Sequence, residues 1–378
     1  MYNIGNIHLS KGEFEHAIYA FKKSIEVNPE NFLAHNNLAL SYKNIRNFDD
    51  ALKSYKNAIE KNPNYVDGHV NYSTQLLMLE KFQEGFEEYE WRKKSKSFSD
   101  YINYSKLNLK SKVWNGENLN NKKLLVIAEQ GIGDLIQFAR HLYLIKKKYN
   151  VEIILYLKSK KFSHFFDERN FIIISEGDKI PNHDYHNHML SILKIFLKEN
   201  NLFCKPVNFF KTNKKAEIKW EERLKKHKGL KIGINSSTSL STKDIPMKHF
   251  TRLASSFDCK FIVIQKEVKK NELKEISNKK NILHFSDLDS SEQAFVDSIE
   301  IIKHLDLVIT ADTSTAHLSA TLKRKTWILL PFVSDWRWFL NKKYSKWYDN
   351  VCLYRSKKID NWESSFKMIN EDLKKTFK

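Results

Sequence analysis

The chain has 378 residues, 41% of them apolar and including 25 Phe and 16 Tyr, which suits two or three packed domains and excludes a disordered chain. Lys and Arg exceed Asp and Glu by 64 − 45 = 19, but these charges are spread along the whole sequence, with Gly and Pro scarce; the pattern fits compositional drift, and no nucleic-acid partner is expected. No run reaches the roughly 18 apolar residues of a membrane span, no leader pattern opens the chain, and Cys204, Cys259 and Cys352 lie far apart without a CxxC, as in reduced thiols of a cytoplasmic protein.

The first elements repeat. GNIHLSKGEFEHAIYAFKKSIEVNPEN from Gly5 aligns without gaps on ALSYKNIRNFDDALKSYKNAIEKNPNY from Ala39, an offset of 34 residues. Ala17 meets Ala51, Phe21 meets Tyr55, Ser24 meets Ala58 and Pro29 meets Pro63. This unit resembles the tetratricopeptide repeat: small residues let two antiparallel helices approach, the aromatic fills the gap between units, and Pro ends the second helix. A third, degenerate unit with Tyr72, Gly85 and Tyr89 has Arg92 where a small residue is due, as expected of a terminal repeat that docks on something else. The first unit starts almost at Met1 without part of its opening helix, so the array is open to extension upstream. Such arrays either bind a protein partner or serve as packing elements.

From Trp114 the period changes. KKLLVIAEQGIGDLIQFARHLYLIKKK reads as a buried strand, a glycine-containing turn and an amphipathic helix, and VEIILYL and FIIIS follow at βαβ spacing. A Lys-rich stretch with helical character at 196–228 reads as a connector. KIGIN, CKFIVIQK, NILHF, LDLVIT and TWILLPF then build a second α/β half. Two such halves make a bilobal, doubly wound architecture with ligands at the carboxyl ends of the strands. The domains expected are repeats over 1–95, a first lobe over 96–215 and a second lobe over 216–378, the last helix being free to pack back on the first lobe.

Two turns carry the candidate chemistry. In Glu129-Gln130-Gly131-Ile132-Gly133-Asp134 the glycines allow a tight turn, and the helix start offers N–H groups to an anion or hydroxyl. Asp134 either takes a proton from an attacking sugar hydroxyl or caps its helix. In Ala311-Asp312-Thr313-Ser314-Thr315-Ala316-His317, hydroxyls and N–H groups at a helix start suit a diphosphate, and His317 could reach a phosphate or ribose oxygen; alternatively, Asp312 caps and His317 packs inside.

Taken together, the strand–GxGD–helix, the LDLVITADTSTAHLSA segment and PFVSDWRWF resemble glycosyltransferase family 9, which contains the ADP-heptose:lipopolysaccharide heptosyltransferases, and more closely its branch with tetratricopeptide repeats in front. Trp114-x-Gly116-x-x-Leu119, DYHNHMLSIL, Ile264-Gln265-Lys266 and Phe295-x-Asp297-Ser298 stand in the matching order, over roughly residues 80 to 375. The resemblance implies a GT-B fold of two Rossmann-like lobes behind the repeats, with acceptor on the first lobe, a nucleotide-diphosphate sugar on the second, and no required metal or cofactor. By position it makes Asp134 the general base. It gives Asp312, Thr313, Ser314, Thr315, His317, Gln265, Lys266 and Arg337 to the donor, and Gln130, Gly131, Gly133 and His186 to the acceptor side. Transfer to a glycan, lipid-linked or protein acceptor is expected, with hexosyl or heptosyl as the group moved and a peripheral membrane contact left open. After KIGIN the chain departs from these relatives, carrying Ser236 and Thr238 for Trp and Gly and Lys243 near the Arg position. The rival reading is a non-catalytic repeat adaptor with degenerate lobes.

Other motifs have two readings each. His183, His186 and His188 suggest a metal, but no further ligand set accompanies them. Asp287-Leu288-Asp289 is a DxD, yet it lies away from the donor motifs. Trp336-Arg337-Trp338 either stacks on a base or sugar or wedges the C-terminal helix against the lobes.

Overall fold

The computed structural model describes residues 1–96, 98, 107, 109–238 and 244–377; Lys243 lies outside them. The chain forms two compact units, Met1–Lys106 with Leu197–Glu199 and Val333–Asn341, and the rest.

In the first unit, α1 (Tyr2–Ser10) and α2 (Phe14–Val27) pair as a hairpin, followed by α3 (Phe32–Asn44) with α4 (Phe48–Lys61). Asn31 and Asn47 cap α3 and α4 by accepting from the Ala34 and Asp50 N–H groups. The repeated positions Ala17, Ala51, Ala58, Phe21 and Tyr55 are fully buried, as their spacing requires. The third pair is α5 (Val66–Met78) with α6 (Phe82–Glu88). A Cβ on Gly85 would sit 2.8 Å from Leu77 Cδ2 and 3.2 Å from its backbone N, so only glycine lets these helices close. After α6 the chain tightens into a 3₁₀ turn over Tyr89–Lys94, where buried Arg92 donates to the Tyr89 carbonyl at 2.9 Å and pairs with Glu90 at 3.1 Å.

Among the described residues no fourth repeat covers this end within the unit; the segment Val333–Asn341 does. Trp336 meets Phe86 and Tyr89 edge-on at 6.0 and 6.2 Å, and Phe339 meets Phe82 at 5.7 Å. The Trp336-Arg337-Trp338 motif therefore packs within the repeat unit. It supplies apolar surface that a terminal repeat would otherwise expose.

The second unit holds two parallel sheets. The first comprises β1 (Lys112–Val113), β2 (Lys122–Ile127), β3 (Val151–Leu157), β4 (Phe171–Ser175) and β5 (Tyr185–His188), in the order β1-β5-β2-β3-β4. The second comprises β6 (Lys231–Asn235), β7 (Lys260–Val263), β8 (Ile282–Leu283), β9 (Leu307–Ala311), β10 (Thr326–Leu330) and β11 (Val351–Arg355), in the order β11-β10-β9-β6-β7-β8. Helices α7 (Ile132–Lys148), α8 (Leu193–Lys198), α9 (Lys214–Lys225), α10 (Met247–Ala254), α11 (Lys270–Ser277), α12 (Val296–Lys303), α13 (Ser314–Thr321) and α14 (Glu363–Thr376) complete the wound α/β pattern. All these pairs are parallel, and the order of strands reverses between β2 and β5 in one sheet and between β6 and β9 in the other. Those are the switch points where doubly wound sheets bind ligands.

Several local readings change. The stretch 196–228 is more than a connector: Trp220 of α9 is fully buried and donates to Asp297 at 2.6 Å. Helix α14 packs on β11 and α10 of the second lobe through Trp362, Phe366, Ile369 and Leu373, not back on the first lobe, because its apolar stripe completes that core. The two acids of the DxD are engaged separately. Asp287 pairs with Arg223 at 2.8 Å and Lys219 at 3.0 Å, and the Arg223 guanidinium holds its carboxyl down to about 2. Asp289 is buried, accepts from the Asp297 N–H at 2.7 Å and from Ser298, and burial pushes its pKa up.

His141 of α7 is also buried, between Phe138 and Phe196, with its ring nitrogens facing the Phe138 and Leu202 carbonyls. Burial, helped by the neighbouring Arg140 charge, pushes its pKa from about 6.5 down to about 4. Below pH 6.5 the unfolded chain takes up a proton that the folded protein refuses, so stability falls as pH drops through that window. Between pH 7 and 4.5 this group alone should cost about 2 kcal/mol. Urea titrations at both pH values should show His141→Gln losing less than the wild type by about that amount; equal losses would contradict the assignment.

Candidate functional site

Both candidate turns sit on switch points. At the carboxyl end of β2 the chain runs through Ala128 and buried Glu129, whose Oε1 accepts from the Leu190 N–H at 3.0 Å, just past β5. Glu129 thus ties the two strands that flank the reversal. The tight turn that follows is made by Gln130, at φ 62°, not by either glycine. Gly131 is the N-cap of α7 in an extended conformation. Asp134 stands in the first turn of α7, half-buried, and its Oδ2 accepts from the Gly131 N–H at 3.2 Å. The carboxylate therefore caps its own helix, which keeps it oriented at the start of α7.

In the second lobe Asn235, the last residue of β6, spans the other reversal. Its Nδ2 donates to Thr315 Oγ1 at 2.8 Å and Thr313 Oγ1 at 3.2 Å. Thr313 is the N-cap of α13 and accepts from the Thr315 N–H at 3.2 Å. Asp312, Thr313 and Ser314 are half-buried, whereas Thr315 and His317 are buried.

The decisive contact joins the two helix starts. A Cβ built on Gly133 would lie 3.1 Å from His317 Cδ2, 3.7 Å from His317 Nε2 and 3.7 Å from Ser314 Cα. Gly133 is thus a packing glycine: its missing side chain lets the first turn of α7 lie against the first turn of α13. The positive ends of two helix dipoles come together there, beside the hydroxyls of Thr313, Ser314 and Thr315 and the ring of His317. The arrangement can hold an anion, and it carries a carboxylate, Asp134, on the same first turn of α7.

The remaining expected residues fall into three groups. Gln265, after β7, is buried and acts as a brace: its Oε1 accepts from the Ser236 N–H and hydroxyl at 2.8 and 3.0 Å, and its Nε2 donates to Ser237 Oγ at 2.9 Å. Ser236 and Thr238 are thereby held, Thr238 through Asp244, which accepts its N–H at 2.7 Å; Lys266 next to the brace is exposed. Arg337 belongs to the repeat unit, where it pairs with Asp335 at 2.8 Å over the Trp336 ring. His186 lies within β5, paired with Val113 and Leu125, and its Nδ1 faces Ser111 Oγ at 2.8 Å; His188, not His186, ends the strand. The His183 and His186 rings stand 6.4 Å apart at right angles. Among the described residues, the cluster of metal-ligand type is His8, Glu13 and His16 of the first repeat, not the β5 histidines.

Residues that sequence reasoning missed are Asn235, Tyr348 and Arg140. Asn235 was legible as the polar end of a buried strand. Arg140 shares one face of α7 with Gly133 and Gln137, a spacing of four and three residues that marks a helix packed on another helix. Tyr348, in a loop, gave no signal.

Residues 194–329 match the sequence model of glycosyltransferase family 9 (heptosyltransferase). Residues 5–45 match a TPR repeat model and residues 32–65 a tetratricopeptide repeat model. The chain thus joins tetratricopeptide repeats to a segment that matches the glycosyltransferase family 9 model. Among solved structures it is similar to a glycosyl transferase family 9 protein from Veillonella parvula, at 12% identity over 70% of this chain and 92% of that one, with a TM-score of 0.50. It is also similar to the second TPR of Spaghetti (RPAP3) bound to an HSP90 peptide, at 26% identity over 24% of this chain and 83% of that one, with a TM-score of 0.23. No curated protein matches the sequence. The first of these likenesses shows the fold, two Rossmann-like lobes of GT-B type. No helix among the described residues is long and apolar enough to cross a membrane.

Gly133 gives a direct test of the helix contact. Gly133→Val should push His317 aside and lower stability by about 2 kcal/mol, read by urea unfolding. Gly131→Ala, whose Cβ would meet nothing closer than 3.6 Å, should lose only the preference for glycine over alanine at an N-cap, about 1 kcal/mol or less. Equal tolerance at both positions would contradict the packing role.

Proposed function

We propose that the chain transfers a hexosyl or heptosyl group from a nucleotide-diphosphate sugar to a hydroxyl of a glycan, lipid-linked or protein acceptor. The observation that carries this reading is the contact between the first turns of α7 and α13, which puts Asp134 and the Thr313–His317 segment at one place. The acceptor oxygen attacks the anomeric carbon, its proton passes to Asp134, and the bond from that carbon to the diphosphate oxygen breaks with the electron pair leaving on the nucleoside diphosphate. Charge grows on the departing phosphates, and preorganised donors are the means of meeting it. Here these are the N–H groups at the start of α13, the hydroxyls of Thr313, Ser314 and Thr315, and His317. With those donors the reaction is proposed to need no metal or cofactor. Lys266, exposed beside the Gln265 brace, is placed toward the nucleotide only by the family resemblance.

The acceptor side is proposed to run along Gln130, Gly131 and Gly133. The repeats are proposed to bind a protein, either the acceptor itself or a partner that presents it, and the reaction to take place in the cytoplasm. Three separate free cysteines, two of them buried, suit a reducing compartment.

A panel of ADP-, UDP- and GDP-sugars offered to the purified full chain, with nucleotide release followed by mass spectrometry, tests the reading. One donor should be turned over, and Asp134→Asn should lower release about 100-fold or more while leaving donor binding within a few fold. Release that persists in Asp134→Asn would remove the base assignment. No release and no nucleotide binding with any donor would leave the adaptor reading.

A further inference from the structure

Behind the helix contact lies a buried polar cluster that the transfer scheme above does not use. Arg140 of α7 is 1% exposed. Its Nε donates to the Gln137 carbonyl at 2.7 Å, and its Nη1 to the carbonyls of Trp347 at 2.5 Å and Cys204 at 3.2 Å. Among the described residues no carboxylate pairs with it, and Nη2 has no partner. A guanidinium is costly to bury without a counter-ion, so its retention calls for a reason. The charge lies over the ring of Tyr348 at 4.4 Å, and the Tyr348 hydroxyl is 3.0 Å from His317 Nδ1. Trp347 and Tyr348 are both fully enclosed, Trp347 against Phe138 of α7 and against Phe203. Two residues on, Asn350 donates to the Ala320 and Arg324 carbonyls at the far end of α13. The loop before β11 therefore runs from α7 to both ends of α13.

We propose that Tyr348 and Arg140 are positioning residues that lock His317 in the tautomer carrying its proton on Nε2, so that the ring presents an N–H donor to the departing diphosphate. The chemistry is short. A phenol has one proton to donate; Arg140 and Thr321 beside its oxygen stand as donors, so the proton goes to His317 Nδ1. The Arg140 cation stabilises negative charge developing on the phenol oxygen, against the effect of burial, and so makes that O–H a better donor. An Nδ1 that accepts leaves the proton of neutral imidazole on Nε2. Nε2 lies on the α7 side of the ring, at the position a side chain on Gly133 would crowd. The opposite tautomer would present a lone pair to phosphate oxygens and repel them. Arg140 thus acts through Tyr348, and Tyr348 through His317.

This inference rests on the start of α13 being the diphosphate site, so the experiment separates the two claims. Nitrogen-15 histidine spectra of the full chain, with the His317 signals assigned by their loss in His317→Gln, report the tautomer directly. The wild type should show a protonated Nε2 and a bare Nδ1. Tyr348→Phe should give a mixture of both tautomers and, at a melting temperature within a few degrees of the wild type, bind ADP or UDP about tenfold more weakly. Arg140→Lys, which keeps a cation, should fall between. A wild type with its proton on Nδ1, or a Tyr348→Phe variant whose His317 signals do not change, overturns the lock. A lock that behaves as described in a wild type that binds neither ADP nor UDP overturns the diphosphate role, and the proposed reason for the lock with it.

Discussion

The site depends on one close approach. Gly133 has no side chain, and into that space come the His317 ring and the Ser314 backbone. Without the approach, the two sheets would each end in an ordinary strand–turn–helix with a capped first turn. With it, two helix starts share a single locus, and their orphan N–H groups and dipoles add. Glu129 and Asn235 do the same job on either side: each crosses its sheet's reversal and fixes the turn that leads into the helix.

Much of this was legible in the sequence because burial imposes periodicity. The 34-residue offset placed Ala17, Ala51 and Ala58 in the repeat core, and the apolar runs at 124–127, 151–157, 231–235 and 307–311 became the strands they resembled. The two turns were legible because glycines and hydroxyls at a strand-to-helix junction have few other uses. The glycines of the first turn were nevertheless read for the wrong reason. Backbone freedom was expected of them, whereas Gln130 takes the left-handed conformation and Gly133 serves packing. A clash between helices remote in sequence leaves no local trace.

What was not legible is of the same kind. Trp336 and Phe339 read as lobe residues by position, but their partners Phe86, Tyr89 and Phe82 lie some 250 residues earlier in the chain. Arg140 drew no reading from the sequence, yet it is enclosed by carbonyls and an aromatic ring. Gln265 was read as a nucleotide neighbour; that its carboxamide holds Ser236 and Ser237 was not read. Each of these side chains is defined by a partner that local spacing does not reveal.

The most direct measurement is a crystal structure of the full chain soaked in turn with ADP and UDP. The diphosphate is expected within about 3 Å of the N–H groups of Ser314 and Thr315, beside His317 and facing the first turn of α7. A diphosphate bound elsewhere, such as the groove between α10 and α14 lined by His249, Arg252 and Lys367, would contradict the shared locus of the two helix starts.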